Sequence, residues 1–416
     1  MAIYINSVET ARGAEQVAAL LAKGFADKGY QVDFLVEDLA GWLIDDLRRH
    51  SPGILVHNLQ PDGGNGLPDA LFRAYVALKA LFFWRMSWHC SLQLARVIIK
   101  KKPPLLALTR YQRRRRPAAV ISLLNSPNIS LMLARLAGSF SSRLIVTVHN
   151  TLSISASTAT SKWKRSIPDL MRCLHRFADK VVAVSTGVAR DLVDEVGLPA
   201  SSVEVVYNPV VRPEIEDLAA EPVDHAWFSN KTCPVLIVAS KLKPQKDLPM
   251  LLRAFQQVRE QRPLRLLILG EGPDRESLEQ LAVEMGIAAD VQFAGFVQNP
   301  FAYYRRADLF VLSSAWEGLP TALIEALACG CPVISTDCPS GPAEILENGR
   351  YGRMVQVGDH QALAEGILEV LDSPPSAALL KQRANCFSIA DSVAKYEKLV
   401  LRAGEAEAIP GSAQIS

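Results

Sequence analysis

Short apolar runs recur along the whole chain and alternate with stretches in which apolar residues have helical spacing. The runs that we predict as strands include 2–5, 32–36, 54–56, 120–123, 144–148, 181–184, 235–239, 264–269, 291–294, 309–312 and 333–335. A run that is apolar at nearly every position is typical of a parallel strand that helices cover on both faces. The alternation therefore predicts an α/β fold built on parallel sheets.

The alternation stops and restarts once. After residue 208 the chain is polar and contains Pro209, Pro213 and Pro222, and a new series of strands begins at Val235. A chain of 416 residues is also too long for one ordinary core. We therefore predict two doubly wound domains, 1–207 and 208–385, followed by a helix over 386–402 and a flexible tail over 403–416.

One segment does not fit the alternation. Residues 71–99 are rich in Phe, Trp and Leu, but a basic residue or a histidine interrupts them every few positions. The segment is too charged for a transmembrane helix and has the composition of an amphipathic helix that lies at a membrane surface. A helix packed on the core, with its arginines in solvent, fits the same pattern.

A long basic block in the first half of the chain indicates what kind of partner the protein binds. Residues 70–168 contain 17 Lys and Arg and no acidic residue, although the net charge of the whole chain is only +2. Such a block implies an anionic partner, and nucleic acid, membrane lipid or a phosphorylated substrate would each fit. No nucleic-acid-binding fold accompanies the arginine run 113–116. We therefore expect 70–116 to face an anionic membrane surface, and we predict no nucleic-acid partner.

The rest of the composition, with 49% hydrophobic and 21% charged residues, is that of a packed globular protein rather than a disordered one. The seven cysteines are irregularly spaced and lie mostly in apolar runs, so we predict reduced core residues. No histidine flanks Cys329, Cys331 and Cys338, which argues against a metal site. The N-terminus has no basic region or cleavage site and is predicted as a strand. We expect a cytoplasmic protein, peripheral on the inner face of the cytoplasmic membrane.

Two residues in the first half follow predicted strands at positions suited to ligand binding. Gly13 lies between the first strand and a helix, which is an anion-binding arrangement, although without a second glycine it is not the dinucleotide fingerprint. A plain tight turn explains Gly13 equally well. His149 directly follows the run 144–148, where side chains point into the crevice of a doubly wound fold. It could donate to, or orient, a sugar hydroxyl or a phosphate.

In the second half, Ser240 and three lysines (Lys241, Lys243 and Lys246) follow the run 235–239. Lysine is a compact cation that neutralises phosphate oxygens, so this stretch suits a diphosphate. An exposed polar turn is the alternative.

The sequence Glu317-Gly318-Leu319-Pro320 follows the run 309–312 and precedes a predicted helix. Proline suits a first helical turn, and the backbone N–H groups there are free to bind oxygens. Glu325 would lie about a turn and a half inside the helix, so that both glutamates could face one elongated ligand.

Several further motifs accompany the two glutamates, which lie eight positions apart. They are 331–334 (CPVI), 341–345 (GPAEI), 13–15 (GAE), 146–150 (VTVHN), 184–185 (VS), 208–209 (NP) and 269–272 (LGEG). Together with Ser240–Lys246, this combination resembles the retaining glycosyltransferases of family 4. The resemblance extends from the first strand to about Gly358. It implies the GT-B fold, with two facing Rossmann-like domains, a deep cleft between them and a last helix that crosses back to the first domain.

The resemblance also implies roles for individual residues. The C-terminal domain would bind a nucleotide sugar and the N-terminal domain the acceptor. Residues that fall on family positions for donor binding or catalysis are Lys241 and Lys246 (diphosphate), Glu317 (transferred sugar), Gly318, Leu319 and Pro320 (sugar and phosphate loop), Glu325 (ribose), Val297 (nucleobase, through its backbone), His149 (near the sugar) and Gly13 (near the diphosphate). Ser240 and Lys241 stand where the family usually has Gly-Arg, which alters the grip on the diphosphate.

The expected reaction is transfer of a sugar, as by a hexosyltransferase, from a nucleoside-diphosphate sugar to a hydroxyl of a lipid-linked or cell-surface glycan, with retention of configuration. Uridine is the expected nucleotide by family habit. No Asp-x-Asp motif is present, so we expect no metal and no cofactor beyond the donor. A nucleotide-sugar epimerase or a sugar phosphorylase of the same fold remains an alternative. A non-catalytic glycan- or lipid-binding protein is another, which the full set of lysines and glutamates disfavours.

Overall fold

The computed structural model describes residues 1–8, 13–59, 67–81, 88–138 and 140–401, with the backbone alone for 67–68 and 88–90. The chain divides into two compact units. Unit 1 consists of Met1–Val184, Val188–Pro209 and Ile389–Ser416, and unit 2 of Ser185–Gly187 and Val210–Ser388. The predicted tail, 403–416, lies outside the described residues.

Unit 1 is built on a sheet of parallel strands. They are β1 (Ala2–Tyr4), β2 (Val32–Val36), β3 (Ile54–Asn58), β4 (Ala119–Leu123), β5 (Arg143–Val148), β6 (Lys180–Ala183) and β7 (Val203–Val205). Their order across the sheet is β3-β2-β1-β4-β5-β6-β7. The apolar pattern does not predict β7, because its three residues include the exposed Glu204 and form no apolar run.

Unit 2 contains a second parallel sheet. Its strands are β8 (Val235–Ala239), β9 (Arg265–Leu269), β10 (Val291–Gly295), β11 (Leu309–Leu312), β12 (Val333–Thr336) and β13 (Arg353–Val355). Their order is β10-β9-β8-β11-β12-β13, the doubly wound arrangement of a Rossmann sheet. The central strands β8 and β11 are almost completely buried, as helices on both faces require. The predicted α/β architecture with two parallel-sheet units is confirmed.

Helices cover the faces of the two sheets. They are α1 (Ala14–Asp27), α2 (Trp42–His50), α3 (Leu67–Leu81), α4 (Trp88–Lys101), α5 (Leu105–Arg115), α6 (Asn125–Ala137), α7 (Leu152–Ser157), α8 (Lys162–Leu174), α9 (Thr186–Arg190), α10 (Ile215–Ala220), α11 (Ala226–Ser229), α12 (Leu248–Gln261), α13 (Arg275–Glu284), α14 (Phe301–Tyr304), α15 (Thr321–Ala328), α16 (Pro342–Ile345), α17 (His360–Asp372), α18 (Ala377–Ala384) and α19 (Ile389–Val400).

The last helix, α19, completes the core of unit 1 by packing on α1. Gly24 of α1 permits this approach, because a Cβ at that position would lie 2.5 Å from Ile389 Cγ2 and 2.7 Å from Val393 Cγ2. Lys28 and Tyr30 then hold the helix at Glu397, with contacts of 2.5 Å from Lys28 Nζ and 2.7 Å from the Tyr30 hydroxyl. The C-terminal helix is therefore a structural part of unit 1.

The predicted amphipathic segment, 71–99, contains two helices, α3 and α4, rather than one. Leu71, Tyr75 and Leu78 of α3 are 61%, 46% and 54% exposed, whereas Val76 and Ala80 are fully buried. The exposed three are spaced by four and three residues and so share one face of the helix. No helix in the described ranges is long and apolar enough to cross a membrane.

The arginine run 113–116 is not uniformly free for a partner. Arg115 donates to both carboxylate oxygens of Asp33, at 3.0 Å each, and the hydroxyl of Tyr111 donates to the same carboxylate at 2.6 Å. These hydrogen bonds outweigh the effect of burial and lower the pKa of Asp33. All four arginines are exposed, but Arg115 is held by Asp33 and so attaches α5 to β2.

The expectation that the cysteines are all reduced is wrong for Cys173, which is disulfide-bonded. Cys173 lies on the buried side of α8, and tertiary packing can bring two distant thiols together in a way that sequence spacing does not reveal. Cys233, Cys329, Cys331, Cys338 and Cys386 are free.

Candidate active site

The predicted donor residues of unit 2 gather at one edge of its sheet. β8 and β11 are neighbours at the point where the strand order reverses, so the loops that follow them lead to opposite faces and leave a crevice between them. The first loop, 240–247, joins β8 to α12 and carries Ser240, Lys241 and Lys246. The second, 313–320, joins β11 to α15 and carries Glu317, and we call it the β11–α15 loop.

Two glycines after β9 shape the first loop. The N–H of Ser240 donates to Leu269 O at 2.9 Å, and the N–H of Leu242 donates to Glu271 O at 3.0 Å. A Cβ on Gly270 would lie 1.8 Å from Ser240 O, and one on Gly272 would lie 2.0 Å from Leu242 O. Only glycine fits at such distances from a backbone oxygen. The 269–272 motif therefore has a packing role beneath the first loop, 240–247.

The remainder of the first loop places Lys246 just before α12. Asp247 has φ +42 and caps α12 by accepting from the N–H of Met250 at 3.4 Å. Lys241 is exposed at the start of the loop. The hydroxyl of Ser240 is buried and has no hydrogen-bond partner among the described residues. An unpaired buried hydroxyl is costly, so this group is suited to bind water or a ligand oxygen.

Lys246 and Glu317 form an ion pair across the two loops. Lys246 Nζ lies 2.5 Å from Glu317 Oε1, and the hydroxyl of Ser314 donates to the same oxygen at 2.6 Å. Glu317 is only 6% exposed. A buried carboxylate is tolerated only when it is paired and hydrogen-bonded, as here. The ammonium has three donors, so Lys246 can hold Glu317 and still bind a ligand oxygen.

The backbone of the β11–α15 loop is held at the Trp316–Glu317 peptide. Gln245 Nε2 donates to Trp316 O at 2.7 Å, and the N–H of Glu317 donates to Pro339 O at 3.1 Å. Both polar groups of this peptide are therefore paired. The loop can hold the Glu317 carboxylate in place without a ligand, which is the preorganisation that electrostatic catalysis needs.

The helix α15 begins at Thr321, so Pro320 is the residue before the first turn rather than a member of it. Within the described part of the chain, the N–H groups of Gly318, Leu319 and Thr321 donate to no protein acceptor. Free N–H groups at a helix N-terminus bind anionic or hydroxyl oxygens.

Glu325 is the fifth residue of α15 and has surroundings of its own. The hydroxyl of Tyr304 lies 3.4 Å from its carboxylate. Part of its surface is exposed, but the protein atoms packed around the carboxyl group raise its pKa, and the positive charge of Arg212 opposes that rise. Arg212 is held by the ring of Phe301, 4.9 Å from its guanidinium carbon. Glu325 is therefore a weakly hydrated acceptor beside a cation.

Val297 follows β10 and is half-buried. The preceding glycine, Gly295, has φ +75 and accepts from the N–H of Gly270 at 2.7 Å, while Arg275 Nη2 donates to Phe293 O at 3.1 Å. The backbone leading to Val297 is thus fixed on two sides, which a residue that binds a ligand through its backbone requires.

The other two predicted site residues, Gly13 and His149, lie in unit 1. Gly13 has φ +56 and precedes α1, with its carbonyl accepting from the N–H of Val17 at 3.1 Å. Among the residues that the structure describes, nothing lies within 4 Å of a Cβ placed there, so the positive φ favours glycine at this position.

His149 follows β5 at the carboxyl edge of the unit 1 sheet, and burial lowers its pKa to about 4, so the ring is neutral at pH 7. Thr147 Oγ1 lies 2.8 Å from His149 Nε2 and donates its single proton to Ser122 O at 3.0 Å. Nε2 must therefore carry the ring proton and donate to Thr147, which leaves Nδ1 as an acceptor. This state suits a ligand hydroxyl and not a phosphate.

The His149 ring makes stability depend on pH. Its usual pKa is 6.5, and burial lowers the pKa to about 4. Between these values the unfolded chain binds a proton that the folded ring does not, so the free energy of unfolding falls as the pH falls from 6.5 towards 4. We expect His149→Gln to lose less stability than the wild type between pH 7 and pH 5 in urea unfolding. The exposed His50→Gln is the control, and equal losses in all three proteins would contradict the assignment.

No group of three or more His, Cys, Asp or Glu side chains with metal-binding geometry occurs among the residues that the structure describes.

Two protein families match this chain, one in each half. Residues 12–209 match the family described as glycosyl transferase 4-like domain, and residues 222–386 match glycosyl transferases group 1. The chain is a family 4-type glycosyltransferase. The N-terminal match lies mostly in unit 1 and the C-terminal match in unit 2.

The chain is also similar in sequence to individual glycosyltransferases. This glycosyltransferase is 27% identical over 305 residues to the Campylobacter jejuni N-acetylgalactosamine-N,N'-diacetylbacillosaminyl-diphospho-undecaprenol 4-alpha-N-acetylgalactosaminyltransferase, a match that covers 71% of this chain and 79% of that enzyme. It is 30% identical over 186 residues to the Escherichia coli lipopolysaccharide 1,6-galactosyltransferase, covering 44% of this chain and 49% of that one. This second match thus spans about half of its relative.

Among solved structures, Anabaena HepE in complex with UDP and glucose superimposes with a TM-score of 0.70 at 20% identity, over 95% of this chain and 98% of that chain. This likeness establishes the GT-B fold for the glycosyltransferase.

Sequence reasoning missed several residues that support the predicted ones. They are Gln245 and Ser314, which hold Glu317 and its backbone, and Tyr304 and Arg212, which surround Glu325. Ser314 could have been found by the rule that selected His149, since it also follows a strand of the sheet. Arg212 and Tyr304 carry no such local signal, because they approach Glu325 from distant parts of the chain.

Proposed function

We propose that this glycosyltransferase moves a sugar from a nucleoside-diphosphate sugar, with uridine as the nucleotide, to a hydroxyl of a lipid-linked or cell-surface glycan. The observation that carries the proposal is the ion pair between Lys246 and Glu317, which lies beside the free N–H groups that precede α15. The names of the Campylobacter and Escherichia relatives support the acceptor class, and the UDP and glucose bound to HepE support the donor class.

In the proposed reaction the bond between the sugar C1 and the phosphate oxygen breaks, and a bond between C1 and the acceptor oxygen forms on the same face. Because the acceptor attacks on the face that the diphosphate leaves, configuration is retained. The acceptor proton passes to an oxygen of the leaving diphosphate, so no protein base is required. Lys246, Lys241 and the N-terminus of α15 stabilise the negative charge that develops on the diphosphate. Glu317 holds the sugar and stabilises positive charge at C1. These groups act without a metal ion.

The remaining assignments follow the position of each residue. Ser240 binds the diphosphate beside Lys241, Gly318 and Pro320 complete the loop around the sugar, and Val297 contacts the nucleobase through its backbone. Glu325 accepts from the ribose hydroxyls. In unit 1, Gly13 approaches the diphosphate, and His149 accepts a hydrogen bond from a hydroxyl through Nδ1.

A donor screen tests the proposal. Release of the nucleoside diphosphate is measured with UDP-glucose, UDP-galactose, UDP-N-acetylglucosamine and GDP-mannose, with and without undecaprenyl-diphosphate glycans or lipopolysaccharide core as acceptor. We expect a UDP-sugar to be consumed in an acceptor-dependent way, with equal rates in EDTA. Formation of a free epimer, or turnover only with inorganic phosphate, would support the rival enzymes instead. No turnover with any pair would count against the proposal.

We further propose that unit 1 contacts an anionic membrane. The exposed apolar face of α3 (Leu71, Tyr75 and Leu78) and the exposed arginines of the run 113–116 both belong to this unit. Apolar side chains that insert at an interface and basic side chains that attract anionic lipid together provide two binding contributions. A lipid-linked acceptor would be reached in this way.

Flotation with phosphatidylglycerol liposomes measures this contact. We expect the wild type to float and the triple variant Leu71→Ser, Tyr75→Ser, Leu78→Ser to lose most of its binding. Neutralising Arg113, Arg114 and Arg116 with glutamine should weaken binding by about 1 kcal/mol per residue, with a strong salt dependence. Arg115 is left intact because it holds Asp33. Val283→Ser on α13, also an exposed apolar side chain, is the control. Flotation that neither set of changes affects would contradict the proposal.

A further inference from the structure

Ser185 contacts the β11–α15 loop from a distant part of the chain. It is fully buried, and its hydroxyl donates to Gly318 O at 2.8 Å. Residues 185–187 follow β6 in the chain but group with unit 2 by their contacts. The hydrogen bond therefore fixes a peptide of the loop that we assign to the donor.

The hydrogen bond from Ser185 also fixes the direction of the Leu319 N–H, which belongs to the same peptide as the Gly318 carbonyl. In a trans peptide the C=O of one residue and the N–H of the next lie in one plane and point in opposite directions. Holding Gly318 O on Ser185 thus directs the N–H of Leu319 away from Ser185. That N–H has no acceptor among the described residues. The Trp316–Glu317 peptide, by contrast, is paired at both its carbonyl and its N–H.

The segment 339–341 packs against the same loop. The carbonyl of Pro339 accepts from the N–H of Glu317 at 3.1 Å. Gly341 has φ +96, and a Cβ there would lie 2.5 Å from Pro320 Cδ and 3.0 Å from Gly318 O. This close packing leaves the Gly318 carbonyl little freedom to turn away from Ser185.

Ser185 is itself anchored through its neighbours. The N–H of Thr186 donates to both carboxylate oxygens of Glu344, at 3.1 and 2.9 Å. A Cβ on Gly187 would lie 2.4 Å from Ser340 Oγ and 2.9 Å from Ser340 Cα, so residue 187 has no room for a side chain. These contacts tie Ser185 to the segment that packs on the β11–α15 loop. A rigid support of this kind fixes the position and direction of an N–H group on the loop.

We propose that Ser185 is a positioning residue for the donor. By holding Gly318 O it orients the N–H of Leu319, which binds an oxygen of the second phosphate, the one that carries the sugar, or an oxygen of the transferred sugar. This inference rests on the proposed function and adds a residue that touches neither donor nor acceptor.

Titration calorimetry of the full chain with UMP, UDP and UDP-glucose tests the role. Ser185→Ala removes the hydroxyl, and we expect it to bind UDP-glucose about 3- to 10-fold more weakly, the effect of one lost hydrogen bond. UMP has neither the second phosphate nor the transferred sugar, so the variant should bind it as tightly as the wild type does. A loss that is already seen with UDP assigns the Leu319 N–H to the diphosphate, and a loss seen only with UDP-glucose assigns it to the sugar.

Two further variants separate positioning from stability. Ser185→Cys keeps a weaker donor of similar size and should recover part of the affinity. Ser142→Ala is the matched control, because Ser142 is a buried serine whose hydroxyl donates to Pro117 O at 2.5 Å at the amino end of β5. We expect its affinity for all three nucleotides to be unchanged.

The outcomes are distinct. Equal affinities of Ser185→Ala and the wild type for UDP and UDP-glucose would overturn the inference while leaving the proposed function intact. An equal loss for UMP would mean that the change disturbs the whole site and would also overturn it. A wild-type protein that binds none of the three would contradict the proposed uridine donor, and this inference with it.

Discussion

Replacing Glu317 by glutamine is expected to lower turnover by about 100- to 1,000-fold, the usual cost of removing one preorganised electrostatic contact. The amide oxygen can still accept from Lys246 and Ser314, which lie 2.5 and 2.6 Å from Glu317 Oε1, so packing is retained and only the charge is lost. The variant should stay folded, and its affinity for UDP should change little, because Glu317 is assigned to the sugar.

Initial-rate measurements with the donor found in the screen decide this prediction, together with thermal unfolding to show that the fold is intact. Glu369→Gln is the matched control, since Glu369 is exposed and pairs with Arg353 at 2.9 Å elsewhere in unit 2. It should keep full activity. Near-normal turnover in folded Glu317→Gln would remove Glu317 from the catalytic assignment.

Replacing Lys246 by methionine is expected to abolish turnover and also to destabilise the protein. Methionine has a similar length but no charge, so the leaving diphosphate loses a counter-charge. The change also leaves Glu317, which is 6% exposed, without its partner. Breaking a buried pair in this way costs about 3 kcal/mol. Glu317→Gln is milder, because the Lys246 side chain is 17% exposed and can turn towards water.

The double variant separates the two effects of Lys246. With both charges removed, Lys246→Met combined with Glu317→Gln should regain most of the stability that Lys246→Met loses, while turnover stays abolished. Urea unfolding and initial rates measure the two quantities on the same preparations. Lys231→Met, which breaks the half-exposed pair with Asp308 at 2.8 Å, is the control and should retain activity. A Lys246→Met protein with normal turnover would show that this lysine does not stabilise the leaving group.

In the basic segment, composition gives the total charge, and packing determines which charges remain free. The excess of Lys and Arg over 70–168 is a property of the sequence. Composition does not show which of these basic side chains already pair with an acidic side chain of the protein. Arg115 lies in an apparently uniform run, yet it is the one that pairs with Asp33, 82 residues away, because α5 packs on the sheet at β2. The exposed stripe on α3 depends in the same way on which face of the helix the unit buries.

Around the candidate active site, local pattern predicted the two parallel sheets, the strand ends and the candidate residues that follow them. Runs that are apolar at every position can be satisfied only by burial on both faces, and the carboxyl ends of such strands collect polar groups. The tertiary structure alone decided the partners: Lys246 with Glu317 across 71 residues, Ser185 with Gly318 across 133, and His149 with Thr147. These contacts depend on how distant loops meet at a sheet edge, and local periodicity carries no information about that meeting.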